Sequence, residues 1–265
     1  MTKSYQYFLR TPGKHWFPVR ILKEDYLIKA FSKKVRYYQV PLLDQSGVHY
    51  TARIIKEKVD ENVNAPVLVT GDPGVGKSTA ISSIARSIDP KFDVPQVGFT
   101  LDEFNTIFAN NPDGNGALGI YPQVNMDESA FAAFTDDRLQ REQTELAKNL
   151  IISRIHKQIV YFGAPKAKHI NSRVRDLATI WIHVSEPDYY LQGYAEVHLP
   201  PPEKQSKYGS GKFWEPSYAF TFKALKDDFW KRYEEKKVAF IRKALEGGNK
   251  KSRSITLEQL DTLDK

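Results

Sequence analysis

"VLVTGDPGVGKSTAISSIA", residues 67–85, sets a glycine-rich turn between an apolar run and a helical pattern, and its reading decides the fold. The stretch fits G-x-x-x-x-G-K-[ST], with Gly71, Gly76, Lys77 and Ser78 in the fixed places after the strand-like run Val67 to Thr70. Backbone N–H groups can converge on a phosphate only when the backbone itself comes close, which favours glycine at Gly71, Gly74 and Gly76. A helix starting near Lys77 adds its positive end to the same point. Lys77 is expected to reach the outer phosphates as a point charge, Ser78 to give its hydroxyl to a magnesium ion, and Thr79 to donate to a phosphate. The expected nucleotide-binding set is Gly71, Asp72, Pro73, Gly74, Val75, Gly76, Lys77, Ser78 and Thr79.

Composition bounds what such a loop can belong to. The chain has 265 residues and 41% hydrophobic content, enough for one large domain or one domain with appendages. It holds no cysteine, which excludes disulfides, zinc–thiolate sites and thiol catalysis and leaves the redox compartment open. No apolar run approaches a membrane span, and the first thirty residues carry scattered charges instead of a signal peptide's apolar block, so a cytoplasmic location is expected. Residues 1–40 carry nine basic side chains against Glu24 and Asp25, which accounts for the whole net charge of +7. Tyr5, Tyr7, Phe8, Trp16, Phe17, Tyr26, Phe31, Tyr37 and Tyr38 interleave with those charges. The mixture suits phosphate contacts with base stacking, or a membrane interface; it equally suits a folded subdomain with a solvated basic face.

Along the chain, "PLLDQSG" (41–47) reads as a turn and "VHYTARIIKEKV" (48–59) as a strand or short helix. After the loop, Ile81, Ile84, Ala85 and Ile88 mark one helical face, "QVGFT" a short strand, "LDEFNTIFA" a helix, and "IYPQVNM" a strand. A long helix is expected from about Asp136 to Lys157, capped by Thr135, then strands at "QIVYFG" and "ATIWIHV". Residues 221–246 read as an amphipathic helix with Phe222, Leu225, Phe229, Tyr233, Phe240, Ile241 and Leu245 on its apolar side, stopped by Gly247 and Gly248. The tail beyond holds either one more short helix or a disordered arm. The "GSGK" at 209–212 lacks the preceding strand that a second phosphate loop needs.

Strands alternating with helices behind a phosphate loop predict an α/β fold: a P-loop NTPase core, its mostly parallel sheet flanked by helices and its nucleotide at the strands' C-terminal ends. The expected divisions are a basic aromatic segment over 1–48, the core over 49–200, and a loop with a C-terminal helix and tail over 201–265. Hydrolysis needs an acidic site at the end of a neighbouring strand, one carboxylate for magnesium and one to orient water. Two pairs compete, Asp102-Glu103 and Asp127-Glu128. The later pair is preferred, because Asp102 and Glu103 sit in the first turn of a predicted helix, where acids are favourable anyway. Asp127 is then expected on magnesium and Glu128 on the water. The histidines at 15, 49, 156, 169, 183 and 198 show no paired metal spacing and read as structural. "NKKS" at 249 lacks the acid that guanine recognition calls for, so the expected cofactors are ATP and Mg2+.

The order "GDPGVGKST", "FTLDEF", "MDESAFAAF", a long helix, then "SRIHKQIVYFGAPKAKHINSRVR" resembles ATPases of the FtsK and HerA class, among them viral DNA-packaging and zonula occludens toxin-like assembly ATPases, over about residues 65–185. The resemblance implies a homo-oligomeric ring that couples ATP hydrolysis to moving double-stranded DNA, in the host cell's cytoplasm if viral, with a viral capsid or membrane partner. It matches Asp127 and Glu128 to the second acidic motif and the strand Ile159 to Gly163 to a sensor-bearing strand. Gly163-Ala164-Pro165 departs from the polar residue expected there. Arg173 and Arg175 fall in a basic loop where such rings can present an arginine to a neighbour's nucleotide; a surface salt bridge or a DNA-phosphate contact is the alternative for each. Arg154 and Lys157 fit the long helix's C-terminal dipole. Three functions follow as expectations: a DNA-translocating or packaging ATPase, a membrane-associated assembly or export ATPase, or a nucleotide-switched loader.

Overall fold

A computed structural model describes residues 4–10, 16–19, 36–61, 65–109, 123–126, 158–166, 170, 172–188, 192–199 and 216–243. Among the described residues ten strands run in chain order as β1 (Ser4–Arg10), β2 (Trp16–Val19), β3 (Arg36–Leu43), β4 (Ala65–Thr70), β5 (Val97–Gly98), β6 (Gln123–Met126), β7 (Ile159–Ala164), β8 (Ile180–Asp188), β9 (Gln192–His198) and β10 (Pro216–Phe222). The described helices are α1 (Ser46–Asp60), α2 (Lys77–Ile88), α3 (Leu101–Ala109), α4 (Ser172–Leu177) and α5 (229–243).

All ten strands join one sheet in the order β2-β1-β3-β10-β9-β8-β4-β7-β6-β5. The half from β8 to β5 is wholly parallel, and β4, the strand before the glycine-rich turn, is buried at all six positions between β7 and β8. A strand covered on both faces needs the near-continuous apolar run that Val67, Leu68 and Val69 supply. The other half is mixed: β9 is antiparallel to β8 and β10, β3 runs parallel to β10, and β1 is antiparallel to β2 and β3. The fold is thus an α/β architecture with a mostly parallel sheet flanked by helices, as expected.

Alternation along β4 sorts the core into two. Val67 and Val69 face a layer formed with α1, α2 and α5, while Leu68 faces α3 and α4 with Val124, Phe162 and Val174. The stretch 48–59, open between strand and helix, lies within α1, because Val48, Ala52, Ile55 and Val59 recur at helical spacing and are all buried.

Two expected elements shift. "PLL" belongs to β3 instead of a turn: Leu42 and Leu43 pair with Ala219 and Phe220 of β10, and the turn comes at Asp44, whose Oδ1 accepts the Ser46 amide at 2.8 Å. The C-terminal helix begins at 229 instead of 221, because Tyr218, Phe220 and Phe222 alternate as strand residues into the core. Asp227 Oδ1 then accepts the Phe229 amide at 3.2 Å at the helix start. The long helix over 136–157, the "GSGK" loop and the tail lie outside the described residues.

Candidate nucleotide site

The turn between β4 and α2 is shaped by three glycines with positive φ: Gly71 at 153°, Gly74 at 85° and Gly76 at 96°. A Cβ on Gly71 would stand 2.2 Å from the Val184 carbonyl oxygen, so the loop's first residue must be glycine for β8 to lie alongside. A Cβ on Gly74 would meet nothing within 4 Å, so this glycine serves backbone conformation and leaves the loop's crest accessible. Gly76 caps α2 with no side-chain cap bond, so no capping side chain competes for the first-turn N–H groups. Gly71 N donates to the Pro165 carbonyl at 3.3 Å, which ties the loop to the end of β7.

Lys77 is 5% exposed, and its Nζ donates to the Gly71 and Asp72 carbonyls, each at 2.8 Å. A buried ammonium arched over its own loop, beside an uncapped helix start, is a cation held where an anion is drawn. Ser78 follows on α2, and its hydroxyl lies 3.0 Å from that of Tyr233 on α5. The loop residues fit a nucleotide's phosphates by the open crest at Gly74, the helix start free of a capping side chain and this lysine, and Ser78 supplies an oxygen ligand suited to Mg2+.

The acidic pair Asp127-Glu128 lies outside the described residues. Its strand is nevertheless placed: β6 ends at Met126 and is separated from β4 by β7, so it is next but one to the loop's strand and not its immediate neighbour. The polar composition of β6 has a structural use. Gln123 is fully buried, its Nε2 donating to the Ala85 carbonyl of α2 at 3.0 Å and its Oε1 accepting from Tyr161 Oη at 2.7 Å. Burial pushes the Tyr161 phenol well above its usual range and keeps it a donor. Asn125, on the same pleat face as Gln123, has a buried Oδ1 with no hydrogen-bond partner among the described residues.

The competing pair sits at the start of α3. Glu103 N donates to Thr100 Oγ1 at 3.0 Å, while Glu103 Oε2 accepts the Phe99 amide at 2.9 Å. Both acids stand in the first turn of α3, as expected, and Glu103 closes a reciprocal cap there.

Arg173 and Arg175 lie in the short helix α4 and not in a loop. Buried Val174 packs α4 on the face opposite α2, and Ala178, whose amide bonds the Arg175 carbonyl, is followed by Thr179 bonding Pro66 at the far end of β4. The Arg175 backbone is therefore not brought to the phosphate loop of its own chain.

His183 is a site neighbour that spacing could not reveal. Its Nδ1 lies 3.0 Å from Thr70 Oγ1, the last residue of β4, and Trp181 Nε1 donates to the same oxygen at 2.8 Å. Burial pulls the His183 pKa down; Glu196 and Asp72 oppose this, while His198 and Lys77 add to it. Glu196 faces His183 across the β8–β9 register, and its buried Oε1 has no partner among the described residues. Among those residues no group of three or more His, Cys, Asp or Glu is arranged to hold a metal. Likewise no described helix is long and apolar enough to cross a membrane.

No protein-family model and no curated sequence matches the chain. Among solved structures, it is similar to the N-terminal domain of zonular occludens toxin from Neisseria meningitidis, at 12% identity and a TM-score of 0.39, over 64% of this chain and 98% of that one. It is similar to a KaiC-like protein from Pyrococcus horikoshii, at 14% identity and a TM-score of 0.35, over 61% of this chain and 86% of that one. A third likeness is to the cytoplasmic domain of the type VII secretion ATPase EccC of Thermomonospora curvata, at 12% identity and a TM-score of 0.37, over 63% of this chain and 24% of that one.

Proposed function

We propose that the chain binds ATP with Mg2+ through residues 71–79 and hydrolyses it, and that a homo-oligomeric ring of it uses the hydrolysis to move double-stranded DNA. The observation that carries the nucleotide reading is the loop itself: positive-φ glycines folded round a buried Lys77 at a helix start with no capping side chain. In this reading Lys77 neutralises phosphate charge, Ser78 and Asp127 hold the metal, and Glu128 takes the proton of the attacking water. Support for Asp127 is that β6 ends one residue before it, with Gln123 and Asn125 on the pleat face turned to α2. Arg173 or Arg175 would act only on a neighbouring subunit's nucleotide. The DNA reading draws on the nine basic and nine aromatic side chains of residues 1–40, which suit a polyanion with stacking bases.

The test is steady-state ATP hydrolysis by the full chain with and without double-stranded DNA, alongside Lys77→Ala and Glu128→Gln. Turnover that DNA stimulates, and that each substitution lowers by about a hundredfold or more, is the expected result. Stimulation by anionic vesicles instead of DNA would move the assignment to assembly at a membrane. Tight ATP binding without turnover under every condition would leave a nucleotide-operated switch.

A further inference from the structure

Helix α5 brings one polar atom to the phosphate loop from far along the chain. Tyr233 is 4% exposed, with its ring centroid 5.4 Å from that of Phe99, 6.0 Å from Phe229 and 5.4 Å from Trp230. Its Oη–H donates to Ser78 Oγ at 3.0 Å. The helix that carries it is anchored on several sides: Arg232 pairs with Asp93, Lys236 Nζ donates to the Val97 carbonyl, and Asp227 pairs with Arg86 of α2 at 3.0 Å. Ser83 of α2 also donates to the Lys223 carbonyl at 2.7 Å, just before α5. Tyr233 is thereby fixed over Ser78, with little freedom for the ring to swing away.

A serine hydroxyl has one proton and two lone pairs. If one lone pair goes to a metal ion, the proton must point elsewhere, and the Tyr233 oxygen, 3.0 Å away, is an acceptor within its reach. A phenolic oxygen accepts as well as donates, so the Tyr233–Ser78 bond can reverse direction without either heavy atom moving.

We propose that Tyr233 is a positioning residue for the nucleotide site, its hydroxyl accepting the Ser78 proton and so holding the Ser78 lone pair toward the magnesium ion. The proposal rests on reading residues 71–79 as a nucleotide site and deepens it: a helix outside the loop sets the site's metal requirement.

The test measures binding of ATP to the full chain, first with EDTA and then over a magnesium series, for wild type, Tyr233→Phe, Ser78→Ala and the double variant. Phenylalanine keeps the ring packing and loses one hydrogen bond, so affinity in EDTA is expected to match wild type and the urea midpoint to fall only slightly. The magnesium concentration that half-maximally tightens binding is expected to rise about three- to tenfold. In the Ser78→Ala background, adding Tyr233→Phe is expected to change nothing further, since the shared oxygen is gone. An unchanged or lower magnesium requirement in Tyr233→Phe overturns the proposal, the latter by showing that the phenol competes with the metal. An equal loss of affinity in EDTA also overturns it, since the role would then be structural. Wild-type binding that magnesium does not tighten overturns this proposal and leaves the nucleotide reading standing, whereas no ATP binding by wild type removes both.

Discussion

Gly71 and His183 show how single positions near the loop are constrained from opposite sides. In Gly71→Ala the new methyl would press on the Val184 carbonyl and on Val75, at a φ of 153° that side chains rarely adopt. The expected cost is about 1–3 kcal/mol from backbone strain alone, read as a lower urea midpoint, with ATP binding lost as well. Burial lowers the pKa of His183, with His198 and Lys77 adding to the shift and Glu196 and Asp72 opposing it. Its folded pKa lies below the ordinary value of 6.5, so between the two the unfolded chain binds more protons and stability rises with pH. Stability is therefore full above about pH 6.5 and is lost as the pH falls toward the lowered value. Urea midpoints taken from about pH 7.5 down to about pH 5.5 should fall, and His183→Gln should flatten that slope. An equally steep slope in the variant would assign the effect to another group.

At the level of elements, α5 and α3 are held by different means. Phe229 of α5 is 1% exposed, with its ring 6.2 Å from Phe92 and 5.2 Å from Trp230 between centroids. Phe229→Ala should cost about 3–5 kcal/mol, by lost transfer energy and the cavity left behind. Because α5 carries Tyr233, the same variant should need more magnesium for ATP binding, which a titration at low urea would read. Helix α3 depends on its reciprocal cap, and Thr100→Ala should cost about 1 kcal/mol with no effect on nucleotide affinity. A large loss of ATP affinity there would return Asp102 and Glu103 to consideration as site acids. The strand β6 makes the complementary point: its glutamine is polar in a fully buried strand, and that side chain bridges α2 and β7.

Over the whole molecule, the N-terminal stretch is built into the same sheet as the phosphate loop. β3 pairs with β10, and Leu43 is packed against the core that holds Val67 and Ile84. A chain beginning at Asp44 would expose the β10 edge, and self-association is expected on size-exclusion chromatography with light scattering. A monodisperse monomer of unchanged stability would show that β1 to β3 are dispensable to the fold. The phosphate loop, the strand before it, the helix after it and the first-turn placement of Asp102 and Glu103 were determined by the order of residues alone. Each depends on spacings within a few residues: glycine where φ is positive, an apolar run, a helical period. Tertiary structure alone decided that Phe222 ends a strand, that β7 separates β6 from β4, and that His183 touches Thr70. It likewise decided that Tyr233 meets Ser78 across 155 positions of sequence. Those arrangements depend on which surfaces pack together, and no local period in the chain encodes a partner so far away.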